Sequence, residues 1–292
     1  MKNQILASQI ALKRSRNNEA ELQSALAKFF KIIEEAIQRN LEEYWNDTLL
    51  LQGQVDLILQ PLTDGEDAYY QILEQYIKRE YKLGIDEAKR LVDLANERQS
   101  FKAVNRRKLI KGIRTIANRL NLFGTLDDAE EELLQRTKTF SKRTLARITS
   151  DINQLLTTGY TEGVGINVVA STITRRFDQL ETWEAKRIAR TEIHNAHNNA
   201  VMKTYDVLGV EYTQWIAADD DRTRESHIEV DREIIPMGGT YSNGLSYPGD
   251  TSGPIEEWIN CRCSNAPYVM PYGMMAPPGM EQFREDDLIP IK

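Results

Sequence analysis

The 292-residue chain is 41% hydrophobic and 28% charged with a net charge of −7, a balance that suits solvated helices better than one large apolar core. At about 150 residues per domain the length predicts roughly two domains. Two cysteines argue against a disulfide framework; no run approaches the ~18 apolar residues of a membrane span, and the charged N-terminus is unlike a secretory leader. The expected setting is cytosol-like.

In chain order, "EAELQSALAKFFKIIEEAIQRNLEEYW" places Leu22, Leu26, Phe29, Ile33 and Ile37 at helical steps. A break is expected at "LQPLTDGED", where Pro61 and Gly65 punctuate the chain. Helix resumes over "AYYQILEQYIKREYKLGIDEAKRLVDLANER", with tyrosines expected to wedge between helices. Phe101 to Leu120 then carries seven basic residues and no acid, namely Lys102, Arg106, Arg107, Lys108, Lys111, Arg114 and Arg119. Such a stripe can contact phosphates without reading sequence, or face solvent or a partner protein. The charge asymmetry is wider than this stripe. Residues 1–150 hold 25 basic and 22 acidic side chains, whereas residues 151–292 hold 12 and 22. The chain as a whole is therefore no general nucleic-acid binder.

A further helix opens after Gly124, with Thr125 and Asp127 as caps or first-turn acids. A glycine-rich turn and a short helix follow at "TEGVGINVVASTITRRF". The next helix sets Ala185, Ala189, Ile193, Ala196 and Ala200 on one side, which predicts close approach of a partner helix. Gly209 fits the position just past its end. From Val210 the texture changes: "VEYTQWIAA" alternates like a strand, "DRTRESHIEVD" reads as a short helix beginning near Arg222, and Asn243-Gly244 between Tyr241 and Leu245 signals a tight hairpin. The fold class expected is mostly α with a small α+β C-terminal domain. Its parts are a helical region 1–150, a helical linker 151–209, an α+β core 210–270 and an extended C-terminal arm 271–292.

Chemistry concentrates in "IAADDDRTRESHIEVD" and "EEWINCRC". Asp219, Asp220 and Asp221 could hold a hard cation, but capping of the following helix is the simpler reading. His227 and Asp231 stand four apart on a helix face, a spacing that suits a carboxylate orienting an imidazole. Cys261 and Cys263 could join His227 around zinc, with Asp231, His194, His197 or water completing the set; reduced thiols in a core are the alternative. His194 and His197 lack zinc-protease spacing and read as ordinary helix residues. No phosphate loop, dinucleotide motif or hydrolase elbow is present.

Four short motifs occur in order: Ala-Arg-Thr-Glu at Ala189 to Glu192, Asp-x-Arg-Thr-Arg-x-x-His at Asp220 to His227, Pro-Gly-Asp at Pro248 to Asp250, and Asn-Cys-Arg-Cys at Asn260 to Cys263. In that order they resemble the phage Mu F-like minor head, or head morphogenesis, family over about 145–265. One departure is Arg232, where the family commonly has glycine. The resemblance implies a structural, non-enzymatic minor head protein of a tailed virus, in the head interior or at the portal vertex and in host cytoplasm during assembly. Implied partners are the portal protein, the major capsid protein or other head components, and packaged double-stranded DNA; no membrane and no obligatory cofactor is implied. Structural motif residues carried by it are Arg190, Thr191, Glu192, Asp220, Arg222, Thr223, Arg224, Asp231, Asp250 and Asn260. Arg222 and Arg224 are expected to tie loops through carboxylates such as Asp250, with His227 and the cysteines close together. Two alternatives stay open: a metal-dependent hydrolase or nuclease using Asp220, His227 and Asp231, and a transient assembly factor absent from the virion.

Overall fold

The computed structural model describes residues 2–99, 126–218 and 220–291, with side chains of the first segment described over 15–95. The basic stripe at 102–119, the Gly124–Thr125 helix start and Asp219 lie outside the described residues. The structure is mostly α with a few short antiparallel strands near the C-terminal end. The long helices are α1 (Lys2–Tyr44), α2 (Gln52–Asp64), α3 (Glu66–Gln99), α4 (Leu126–Thr161), α5 (Ile166–Gln179) and α6 (Ala185–Leu208), with a π turn (Leu180–Glu184) between the last two. No helix among the described residues is long and apolar enough to cross a membrane.

Two compact units are assembled from non-consecutive segments. One comprises Glu19–Tyr76 and Leu133–Ala189, the other Met1–Asn18, Ile77–Glu132 and Arg190–Lys292.

The first of these units is helical throughout. Its core contains the predicted stripe Leu22, Leu26, Phe29, Ile33 and Ile37, together with Tyr69, Ile148, Ile152, Ile173 and Phe177. Of the break expected at Pro61 and Gly65, the Gly65 part is observed: Pro61 lies inside α2, and the chain breaks at Gly65 and also at residues 45–51. A proline inside a helix removes the hydrogen bond to the carbonyl four residues back. That carbonyl, Leu57 O, accepts instead from Asn40 Nδ2 at 2.7 Å. Buried Glu184 on the π turn draws in Arg147 at 2.6 Å and Arg176 at 2.7 Å. Asp151 extends the network, 2.7 Å from Arg176.

The second unit carries the strands. The central strand β1 (Tyr212–Ile216) pairs antiparallel with β2 (Ile234–Pro236) on one side and β3 (Ser264–Tyr268) on the other, with Trp215 opposite Asn265. Pro236 and Pro267 sit in the edge strands, where a missing N–H is tolerated. The short helices α7 (Glu225–Glu229) and α8 (Ile255–Trp258) fall in the connections. Trp215, Val230, Ile235, Tyr241, Leu245, Cys261 and Cys263 form one apolar cluster. Tyr241 and Leu245 do bracket a tight turn, Tyr241 N to Leu245 O being 2.9 Å with Gly244 at φ +82°. No strands flank it, so it is a turn and not a hairpin. The C-terminal segment folds back on its own unit: β4 (Met274–Met275) pairs with β5 (Ile289–Pro290). Buried Phe283 exchanges backbone hydrogen bonds with Ile234 at 2.7 and 3.1 Å.

Candidate functional site

Helix α6 is the frame of the site. Ala185, Ala189, Ile193, Ala196 and Ala200 are buried along it. Ala200 meets Gly84 of α3 so closely that a Cβ on Gly84 would lie 2.8 Å from the Ala200 methyl and 2.6 Å from the His197 carbonyl oxygen. The small residues on α6 thus receive a helix, as their spacing predicts. The glycine on the opposing helix was not singled out from the sequence.

Both α6 histidines are interior, in unlike environments. Burial, reinforced by the neighbouring His197 and His227 rings, pushes His194 down to about 3. It is therefore a neutral imidazole, 2.9 Å from Asn198 Nδ2. His197 is an ion-pair centre, with Nδ1 2.9 Å from Glu80 Oε1 and Nε2 3.1 Å from Glu87 Oε2. Burial alone would lower its pKa, but the two carboxylates outweigh burial and raise it to about 10. Asn18 also donates to Glu80, at 2.8 Å.

The amide side chains of α6 fasten the loops that carry the motifs. Asn195 donates to the Gly249 carbonyl. Asn198 donates to the carbonyls of Pro248 at 2.9 Å and Cys263 at 3.3 Å. Thr191 accepts from the Asn260 backbone N–H at 3.2 Å. Asn260 itself sits at φ +55°, a left-handed conformation that asparagine tolerates better than most residues. Gly249 is at φ +87°, and a Cβ there would press on His194 Cδ2 at 3.3 Å. The Ala-Arg-Thr-Glu helix, the Pro-Gly-Asp loop and the Asn-Cys-Arg-Cys turn are thereby one hydrogen-bonded assembly. Thr191 and Glu192 are both buried in it.

Against this assembly lies a histidine–dithiol centre. His227 from α7 and Cys261 and Cys263, which flank Arg262 just before β3, are almost fully buried. His227 Nδ1 is 3.4 Å from Cys263 Sγ and 3.7 Å from Cys261 Sγ. The three donor atoms lie within 4.8 Å of one another, and both cysteines are free thiols. Hydrogen bonding from the Cys261 thiol draws the Cys263 thiol below its usual range against the effect of burial, and His227 acts in the same direction. Burial pushes Cys261 the other way. On the far side of the imidazole, Nε2 is 3.0 Å from Glu257 Oε2, which also accepts from Ser226 Oγ at 2.9 Å. The Trp215 ring stands edge-on to His227, centroids 5.1 Å apart, and fixes its plane. Two sulfurs and one imidazole nitrogen converging in a dry pocket are a donor set for a soft or borderline cation such as zinc, not for magnesium or calcium.

The carboxylate behind the histidine is therefore Glu257, not Asp231. Asp231 shares the spacing but accepts from the Ala217 backbone N–H at 2.9 Å. Glu256 and Glu257 are adjacent in the sequence, and nothing local marks which one turns inward. Asp220 does not cap α7, which begins at Glu225 and not near Arg222. Its Oδ1 takes the Arg222 N–H at 3.0 Å and the Thr223 hydroxyl at 3.2 Å, closing a turn ahead of the helix. Arg262 also donates to it. Asp250 satisfies its own loop, accepting from Ser246 N at 3.0 Å and Ser252 N at 2.9 Å. Arg224 reaches the Ile259 carbonyl and not that carboxylate. Neither Asp220 nor Asp231 contributes a donor atom to the His227–Cys261–Cys263 cluster. Arg190 is half-buried at the start of the assembly.

Residues 150–266 match the family model described as phage Mu protein F like protein. Over this segment, about two-fifths of the chain, the protein is similar to the phage Mu F-like family, and the similarity supports a phage head-related protein. No match was found among curated proteins or among solved structures. The Mu F-like segment contains all four motifs, so the hydrogen-bonded assembly is built from residues inside the family match. Arg232, the departure from the family pattern, adopts φ +62° and donates its N–H to Trp215 O at 2.9 Å. The turn that glycine would favour is kept, with a side chain that strains it.

Proposed function

We propose that this chain is a structural minor head protein of a tailed virus that docks at the portal and acts in head assembly or in packaging and delivery of the genome. The supporting observation is the motif assembly itself, in which polar residues that could have served catalysis are spent on fixing loops. Asp220, Asp231 and Asp250 each accept backbone N–H groups, the arrangement of a rigid interaction module. The hydrolase or nuclease reading would need Asp220, His227 and Asp231 to share a reacting centre, whereas the two aspartates hold the backbone of the connection after β1 and His227 faces Glu257 and the cysteines. The major capsid protein and packaged double-stranded DNA complete the proposed surroundings. The basic stripe from Lys102 to Arg119 is the candidate DNA contact.

The test is quantitative mass spectrometry of purified particles and isolated portal vertices. A few copies per particle, enriched at the vertex, are expected. Absence from mature particles would overturn the virion role and favour a transient assembly factor. Divalent-dependent DNA cleavage lost on His227→Ala would overturn the structural reading altogether.

A further inference from the structure

We propose that His227, Cys261 and Cys263 are the protein ligands of a structural zinc ion, and that Glu257 is the positioning carboxylate that orients the imidazole. The inference stands independently of the head-assembly reading. Three observations carry it. The first is spacing. In a tetrahedral centre with Zn–N of about 2.0–2.1 Å and Zn–S of about 2.3 Å, ligand nitrogen and sulfur lie about 3.6 Å apart. The distances from Nδ1 to the two sulfurs, 3.4 and 3.7 Å, bracket that edge.

The second is the partner on the other ring nitrogen. Metal-bound histidines donate their free N–H to a carboxylate or carbonyl, which fixes tautomer and ring orientation. Glu257 occupies that position at 3.0 Å, and Ser226 holds the same carboxylate oxygen at 2.9 Å. The third is charge in a dry place. Two thiolates neutralise a zinc dication, so the loaded centre could be buried without net charge. Binding displaces the two thiol protons to solvent and forms two Zn–S bonds and one Zn–N bond, with no change of oxidation state. Three protein ligands among the described residues leave one coordination position for a fourth ligand such as water.

All three ligands are almost fully buried, which suits a structural role for the ion. One ion would join α7, the 261–263 turn and, through Arg262 and Asp220, the loop after β1. This region has a three-stranded sheet of short strands, and small scaffolds of this sort gain most from such a staple.

The experiment uses the untagged full-length chain purified without chelators. Elemental analysis should find about one zinc per chain. Cobalt substitution should give thiolate-to-metal charge-transfer absorption with tetrahedral d–d bands, and both should vanish in Cys263→Ser. Because that variant can fail for lack of folding, Glu257→Gln supplies the second arm. It keeps every ligand, should retain the helical circular dichroism, and should weaken zinc about 10–100-fold in competition with a chromophoric chelator. A folded chain that neither carries nor takes up zinc overturns the proposal. So does a cobalt spectrum without thiolate bands, or a Glu257→Gln affinity equal to that of the parent.

Discussion

Replacement of His197 by glutamine tests the electrostatic centre of the unit that holds the strands. His197 is buried and touches two buried carboxylates, Glu80 and Glu87, both from α3. Ser15 and Asn18 of α1 support Glu80 from behind, and Asp86 and Arg90 line the adjoining cavity of about 190 Å³. Removing one partner of a buried ion pair leaves uncompensated charge and typically costs about 3–5 kcal/mol. Glutamine restores one hydrogen bond but no charge, so a loss of about 3 kcal/mol at pH 7 is expected. The pH dependence gives a sharper signature. The folded-state pKa of His197 is raised by the two carboxylates to about 10 from the ordinary value of 6.5. Its stabilisation is therefore fully present below about pH 6.5 and is lost as pH rises through about 10. Between pH 7 and 9 the folded state holds a proton that the unfolded state has released, at about 1.36 kcal/mol per pH unit. The parent should lose roughly 2.5 kcal/mol over that window, and His197→Gln should lose far less. Urea unfolding followed by circular dichroism at pH 7, 8 and 9 measures both. A parent–variant gap that stays constant from pH 7 to 9 would refute the charged, ion-paired imidazole.

Three further substitutions probe separate elements. Gly84→Ala would gain about 1 kcal/mol on an open helix, but here its Cβ meets a backbone carbonyl at 2.6 Å; a net loss of about 1–3 kcal/mol is expected in the same unfolding assay. Arg232→Gly relieves the left-handed backbone at φ +62° and should stabilise by up to about 1 kcal/mol, seen as a higher melting temperature. Glu184→Ala strips the buried acceptor from Arg147 and Arg176, with an expected loss of about 3 kcal/mol; a loss below 1 kcal/mol would mean Asp151 alone holds Arg176.

The helices were legible because period and burial coincide: Leu22, Leu26, Phe29, Ile33 and Ile37 are spaced for one face, and that face is the core. Pro61 misled because local chemistry predicts a break, while the structure supplies Asn40 to the carbonyl that proline leaves open. The cluster of His227 with both cysteines was legible from residue type and motif order. Its carboxylate was not. The i, i+4 spacing selected Asp231, but the backbone N–H of Ala217 claims that side chain, and Glu257 arrives from a segment thirty residues away in sequence. Non-local partners of this kind leave no local period to read. The same holds for Gly84, whose role depends on a helix more than a hundred residues downstream. It holds again for Phe283, which turns a proline-rich tail back onto β2.

Asn195 and Asn198 grip the loops by their main-chain carbonyls at Gly249, Pro248 and Cys263. A carbonyl is the same whatever side chain its residue bears. Outward-facing residues of these connections can therefore be exchanged, for instance at the exposed Thr240 and Glu256, without altering what α6 recognises. Frame and outer surface are decoupled, so such a protein can be refitted to a new partner by changing its loops while its helix stays untouched.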